Sequence, residues 1–461
     1  MIELNRVSLF ALLVVSMHLT AQAEVRLPHV IADNMVLQRD MPIRLWGWAD
    51  AGEHVTVTLA DHTATCIAAD DGTWKATLPK LSAGGPHTLT VVGTNKLEVA
   101  NVLIGEVWVC SGQSNMSWVM VHKTTDFDAE IAAADHPQIR LFTAPEKSTD
   151  QPADDIESQW YVCSPKTVGY FSAVAYYFGR ELHKELNVPV GLVVSAVPGT
   201  RIEDWTADEG IAAVPELKDQ QQFGNGRLFR GMIHPLLPMS MRGVIWYQGE
   251  GNVGDGFLYY HRMRGLVAGW RQLWQLGDFP FYYVQIAPLN WGGKPVDQQA
   301  EIWEAQTAAL AIANTGMAIT NDIVHHVSDA HPRNKRDVGK RLALWALNKT
   351  YGKSDVKYSG PLYKSMQVEG DKIRIAFDYA KGLTARDGKP LNWFTIAGAD
   401  NKFVPAEATI ENDTVLVHAN EVPRPQHVRF AWHQIAQPNL MNAAGLPAGA
   451  FRTDGPMQNT Q

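Results

Sequence analysis

Two side chains far apart in the chain, Ser114 and His331, are of the types that acyl transfer needs: a hydroxyl to attack and an imidazole to take its proton. Ser114 lies in Ser111-Gly-Gln-Ser-Asn115, a small polar turn directly after the apolar run Val107 to Cys110. Most serines in such places are turn residues, so the hydroxyl gains weight only if partners converge on it. His331 lies in Ser328-Asp-Ala-His-Pro-Arg-Asn-Lys335. Pro332 disfavours a helical conformation for the residue before it, which puts His331 on a loop leading into a helix. Asp329 is the candidate to orient the ring and offset the imidazolium charge. The plainer alternative for His331 is a loop histidine near a helix start. His325 and His326 compete for the base role, but their neighbours suggest an exposed loop. No acidic or histidine partner stands at zinc spacing from them.

An attacking serine also needs donors for the oxyanion that forms. The familiar Gly-x-Ser-x-Gly elbow fails here, because Met116 stands two residues after Ser114. Two other stretches offer donors. Ser195-Ala-Val-Pro-Gly-Thr-Arg-Ile-Glu-Asp-Trp205 contains Gly199, whose backbone can approach a ligand closely, or which is simply a turn glycine. Ile245-Trp-Tyr-Gln-Gly-Glu-Gly-Asn252 contains Gln248, whose side-chain amide can donate. Glu250 reads as a substrate or supporting carboxylate, or a turn residue, rather than the acid behind the histidine.

These stretches must be carried by a common scaffold. Between Gly105 and about Thr350 strand and helix patterns alternate. Strands are expected at Val107 to Cys110, Ile139 to Phe142, Gly191 to Ala196, Gly243 to Tyr247, Phe281 to Ile286 and Met317 to Thr320. Helices are expected at Ser172 to Leu186, Leu258 to Leu273, Gln298 to Ala313 and Lys335 to Leu347. Alternation of this kind specifies a parallel sheet covered by helices, with ligands at the carboxyl ends of the strands. Residues 24–104 and 351–461 read instead as short alternating strands and turns, β-rich units flanking an α/β catalytic region at 105–350.

The 461 residues exceed one ordinary domain. The net charge of −8, without a basic run, gives no sign of nucleic-acid binding. Arg6, the apolar run Val7 to Leu19 and Ala21-Gln22-Ala23 read as a secretory signal peptide over residues 1–23. Export to the periplasm or the extracellular space is therefore expected, with no membrane span after cleavage. Three cysteines, Cys66, Cys110 and Cys163, cannot all pair and fit no metal pattern.

Taken in order, several blocks resemble the sialate O-acetylesterase family, exported carbohydrate esterases of the SGNH (GDSL-like) hydrolase superfamily. They are Asp33-Asn-Met-Val-Leu-Gln38, Gly105-Glu-Val-Trp-Val-Cys-Ser-Gly-Gln-Ser-Asn-Met116, Phe171-Ser-Ala-Val-Ala-Tyr-Tyr-Phe178, Val244-Ile-Trp-Tyr-Gln-Gly-Glu250, His331-Pro-Arg-Asn-Lys335, Gly445-Leu-Pro447 and Phe451-Arg-Thr-Asp454. The resemblance implies a three-layer α/β/α catalytic domain that removes O-acetyl groups from sialic acids, with no metal or organic cofactor. It implies Ser114 as nucleophile and His331 as base. The oxyanion hole would comprise the N–H groups of Ser114 and Gly199 and the Gln248 amide. The superfamily often has an aspartate three residues before the histidine; Ser328 stands there, so either Asp329 completes a triad or a Ser–His dyad operates. Arg201, Trp205, Trp118 and Glu250 are the candidates for substrate contact. Arg201 suits a sialic acid carboxylate, or is a solvated surface arginine. Another acetylated carbohydrate, such as acetyl-xylan, is the rival substrate. A non-catalytic glycan-binding protein is the rival from another class.

Overall fold

The computed structural model describes residues 24–220 and 226–455; the expected signal peptide lies outside them. Its centre is one long strand, Lys96–Gly112, of 17 residues. In its first third, burial alternates, as expected of a strand with one solvated face; from Val102 to Gly112 every residue is buried. The change marks where the strand leaves the N-terminal β unit and enters the middle of a parallel sheet. The boundary expected between residues 104 and 105 thus falls inside a single strand and not at a linker.

On the N-terminal side this strand pairs with Gly84–Val92, which pairs with His54–Leu59. Val36–Gln38 runs parallel to it at Leu103–Gly105. Here Glu106 is fully buried and its carboxylate accepts from Arg39 Nε (2.5 Å), Arg242 Nε (2.8 Å) and Gln38 Nε2 (3.1 Å). This gives the Asp33–Gln38 block a structural reason: Gln38 Oε1 also accepts the Val107 N–H.

The central sheet has the order Thr315–Ala318, Phe281–Val284, Gly243–Tyr247, Lys96–Gly112, Val190–Ala196, His136–Thr143, Trp160–Cys163. All pairs are parallel except the last, an antiparallel edge that the sequence pattern did not reveal. Helices cover both faces. Trp108 points to one face and meets Phe178 of the helix Ala173–Leu186; Trp246, on the opposite face, meets Trp270 of the helix Leu258–Trp274. Ser172 caps the first of these helices, its Oγ accepting the Ala175 N–H at 3.1 Å.

After Thr350 the chain forms two four-stranded sheets. One contains Leu362–Glu369, Lys372–Asp378, Thr414–His418 and Glu407–Glu411; the other is built on Phe394–Ala397 and His427–Phe430. Cys110 and Cys163 are buried free thiols, and Cys66 is half-buried and also unpaired. No helix of the described residues is long and apolar enough to cross a membrane.

Candidate active site

The sheet's direction of growth reverses at Lys96–Gly112: the strand preceding Gly112 has Val190–Ala196 on one side and Gly243–Tyr247 on the other. Gly112 is in register with both Ala196 and Tyr247. The ladders run one residue further, through Val197 N–H to Gly112 O (3.1 Å) and Gln113 N–H to Tyr247 O (3.0 Å). Three loops therefore leave the sheet side by side at a topological switch point, where α/β folds bind ligands. Gly112 allows this closeness. Its φ is +138°, and a Cβ there would stand 2.1 Å from Tyr247 O.

Ser114 follows, half-buried, as the first residue of the short helix Ser114–Ser117. Gly199 is exposed on the neighbouring loop with φ +74° and open space where a Cβ would be. The base candidate arrives on a fourth loop. His331 is half-buried and lies flat on Trp118, ring centroids 4.3 Å apart. Thr125 N–H donates to Arg333 O (3.0 Å), a second tie between the segment after Ser114 and the His331 loop. Burial lowers the proton affinity of His331 most, nearby Lys335 lowers it further, and Asp329 works in the opposite sense.

Several expected roles change. Asp329 does sit close to His331, but its Oδ1 accepts the main-chain N–H of His331 at 2.8 Å. The carboxylate ties the loop, and no bond from it to the imidazole is found among the described residues. Gln248 is fully buried and its amide is already satisfied. Nε2 donates to Thr200 O (3.2 Å) and Asn252 Oδ1 (2.7 Å), and Oε1 accepts from the Tyr259 hydroxyl (2.9 Å). Both amide hydrogens are committed, so in this arrangement Gln248 braces two loops and has no hydrogen free for an oxyanion.

The substrate-contact candidates fare similarly. Arg201 donates to both oxygens of Asp255 (3.0 and 2.9 Å), to Glu203 (3.0 Å) and to Gly251 O (2.7 Å), so the protein engages both Nη atoms, while Nε is without a partner among the described residues and the side chain stays 38% exposed. Trp205 is 0% exposed and packs on Trp246; it is core. Trp118 is half-buried at the site, but against His331. Glu250 presents a buried carboxyl to the interior: Oε1 accepts from Asn115 Nδ2 (2.6 Å) and Oε2, closed to solvent, has no partner among the described residues.

Three residues that the sequence reading passed over hold these loops together. Asn252 is fully buried: it donates to Glu203 (2.9 Å) and Asp255 (2.7 Å) and accepts from Ile202 N–H (3.1 Å) and Gln248. Asn115, next to Ser114, donates to Glu250 and to Ala330 O (3.0 Å), the residue before His331. Lys335 is 1% exposed, and its Nζ donates to Asn115 Oδ1. One signal for Lys335 was available: a cation in the first turn of a helix opposes the helix dipole, so it needs another reason to be there.

Together these contacts give a half-buried serine, an imidazole with lowered proton affinity and an exposed glycine turn at one sheet edge. Residues 104–348 match the family described as carbohydrate esterase, sialic acid-specific acetylesterase. The sialate O-acetylesterases of Rattus norvegicus and Homo sapiens are 29% and 30% identical to this chain, each over 88% of it and over 89% and 87% of the relative. The crystal structure of a carbohydrate acetylesterase from Xanthomonas citri matches with a TM-score of 0.88 and 38% identity, covering 93% of this chain and 99% of that one.

Proposed function

Because this chain belongs to the sialic acid-specific acetylesterase family of carbohydrate esterases, we propose that it removes O-acetyl groups from sialic acids through an acetyl-serine intermediate on Ser114. His331 takes the Ser114 proton as the oxygen attacks the acetyl carbonyl. The N–H groups of Ser114 and Gly199 receive the oxyanion, and His331 returns the proton to the departing sugar oxygen. Water then attacks the acetyl-enzyme by the same route and releases acetate. The observation that supports this reading is that the Ser114 turn leaves the sheet at the switch point beside the loop that carries Gly199, and is tied to the His331 loop by Asn115 Nδ2 on Ala330 O (3.0 Å) and by the stack of Trp118 on His331, although Ser114 and His331 are 217 positions apart (331 − 114). Asp329 supports His331 through its main chain and its charge, so the chemistry reads as a Ser–His dyad with a braced loop.

Acetate release from an O-acetylated sialic acid and from an aryl acetate tests this. Ser114→Ala should reduce both by several orders of magnitude; retained hydrolysis would remove Ser114 from the mechanism. A second reading has its own support: identity to the Xanthomonas citri carbohydrate acetylesterase (38%) exceeds that to the sialate O-acetylesterases (29–30%). Acetyl-xylan in the same assay separates the two substrates. Export rests on the N-terminal pattern alone. Mass determination of protein recovered outside the cytoplasm tests it, with a chain starting at Glu24 expected.

A further inference from the structure

Lys335, Asn115 and Glu250 are buried polar groups that the proposed chemistry does not use, yet they connect its two reacting residues. Lys335 opens the helix Lys335–Trp345, which Asn334 caps by accepting the Asp337 N–H at 3.1 Å. The cap fixes where the helix begins and so where the lysine points. Its Nζ donates to Asn115 Oδ1 and lies 5.8 Å from the Trp118 ring centre and 5.6 Å from that of Tyr247. With its oxygen held by the lysine, the Asn115 amide turns Nδ2 toward Glu250 Oε1 (2.6 Å) and Ala330 O (3.0 Å). One side chain thus joins the residue after Ser114 to the residue before His331. Lys335 and His331 also share Trp118 as a neighbour.

We propose that Lys335 is a positioning residue for catalysis: through Asn115 it locks the Ser114 turn to the His331 loop, and through its charge it tunes the imidazole. A buried ammonium and a buried carboxyl are costly to keep ionised, and a purely structural strut would be as firm with neutral groups. Burial brings Lys335 down to about 7, while Glu250 and Asp329 oppose that fall; burial also pushes Glu250 up. Groups that face this lysine are Glu250 and Tyr247 at the end of the Gly243–Tyr247 strand, Asp329 and His331 on the preceding loop, and Asn115. His122, edge-on to Trp118, also acts on His331 and lowers its proton affinity. On the acid side of neutrality Lys335 is charged and makes protonation of His331 harder, which keeps the base free.

The inference rests on the Ser114–His331 reading, so its test carries a control. The pH dependence of kcat/KM for an aryl acetate is measured for the intact chain, Lys335→Met, Glu250→Gln, Asn115→Ala and Ser114→Ala. Lys335→Met should lower kcat about tenfold or more and move the acid limb to higher pH by about half a unit or more, because the cation beside His331 is gone. Glu250→Gln should move the limb in the same direction, since without the carboxylate Lys335 loses its proton more readily; this variant carries the test if the methionine variant fails to fold. Asn115→Ala should lower kcat with little change in KM. Acid limbs in Lys335→Met and Glu250→Gln that coincide with that of the intact chain would overturn the proposal. Loss of activity in Ser114→Ala alongside that result would leave the esterase mechanism standing, whereas an active Ser114→Ala would remove both.

Discussion

The His331 imidazole rests on the Trp118 indole with planes inclined by only 18°. The indole shields one face of the ring from water, and Trp118 is itself fixed, its Nε1 donating to His122 O at 3.2 Å. An aromatic pair of this kind contributes about 0.5–1.5 kcal/mol beyond burial. Trp118→Ala should therefore lower kcat by about threefold to tenfold, and by admitting water to His331 it should raise the pH at which activity appears. Trp118→Phe should restore most of both. Steady-state profiles of the two variants check this; an alanine variant with raised KM and unchanged kcat would make Trp118 a substrate platform instead.

Asp329 gives a sharper case. Its Oδ1 accepts the main-chain N–H of His331, a bond that the Asp329→Asn amide oxygen can still make. What asparagine removes is charge. Asp329 raises the proton affinity of His331, so its loss should lower that affinity further. The base works when neutral, and so the acid limb of kcat/KM should move to lower pH, with kcat held within about tenfold. In a triad whose acid grips the ring, the same change costs about 10⁴ in rate. A loss of that size in Asp329→Asn would restore Asp329 to the ring.

The Gln248 amide poses the same kind of choice between chemistry and bracing. An oxyanion donor that is removed costs about 10²–10³ in rate with little loss of stability. Here Gln248→Leu would take from Thr200 O its side-chain donor and from Asn252 Oδ1 one of two donors, leaving it the Ile202 N–H, while the Tyr259 hydroxyl would keep only the main-chain carbonyl of residue 248, in a fully buried place. A buried polar group left without its partner costs about 1–3 kcal/mol, and the lost amide bonds add to that. Gln248→Leu should thus lower Tm clearly, while the rate per folded molecule falls less than 10²-fold. Calorimetry beside active-site titration separates the two; a stable variant with a collapsed rate would return Gln248 to the oxyanion hole.

What the sequence makes legible here is what periodicity encodes. The six parallel strands and four main helices stand close to where apolar patterns put them, because burial on one or both faces writes itself directly into residue order. The edge strand Trp160–Cys163 escaped because its short run has a single partner and carries little pattern. Residue type gave Ser114, Gly199 and His331 their candidacy. It could not say where a polar side chain spends its hydrogen bonds. Arg201 looks wholly free for a carboxylate, yet Asp255, 54 residues on, already engages its Nη2, and Gln248 looks free to donate until Asn252 Oδ1 and Thr200 O take its two amide hydrogens. The same blindness hid Asn115 and Lys335, whose partner lies 220 positions away.

Lys335 also leaves a trace in stability. In the unfolded chain a lysine holds its proton up to about pH 10.4, but in the folded chain it releases it at about 7. Between those values the unfolded chain binds a proton that the folded chain does not, so this residue makes stability rise with pH across that window. Below it both states carry the proton and the penalty of the buried charge is complete. Glu250 acts in the opposite sense: its raised proton affinity adds stability that is full below the ordinary carboxyl range and is lost as pH rises through the raised value. Lys335→Met removes only the lysine's contribution at alkaline pH, where other groups cancel in the comparison. The Tm of Lys335→Met minus that of the intact chain should therefore fall steadily from about pH 8 to about pH 10, as the intact chain gains stability that the variant cannot. A difference that stays level over that range in thermal unfolding would mean that the folded protein keeps Lys335 charged throughout, held by Glu250 and Asp329 more firmly than its burial opposes.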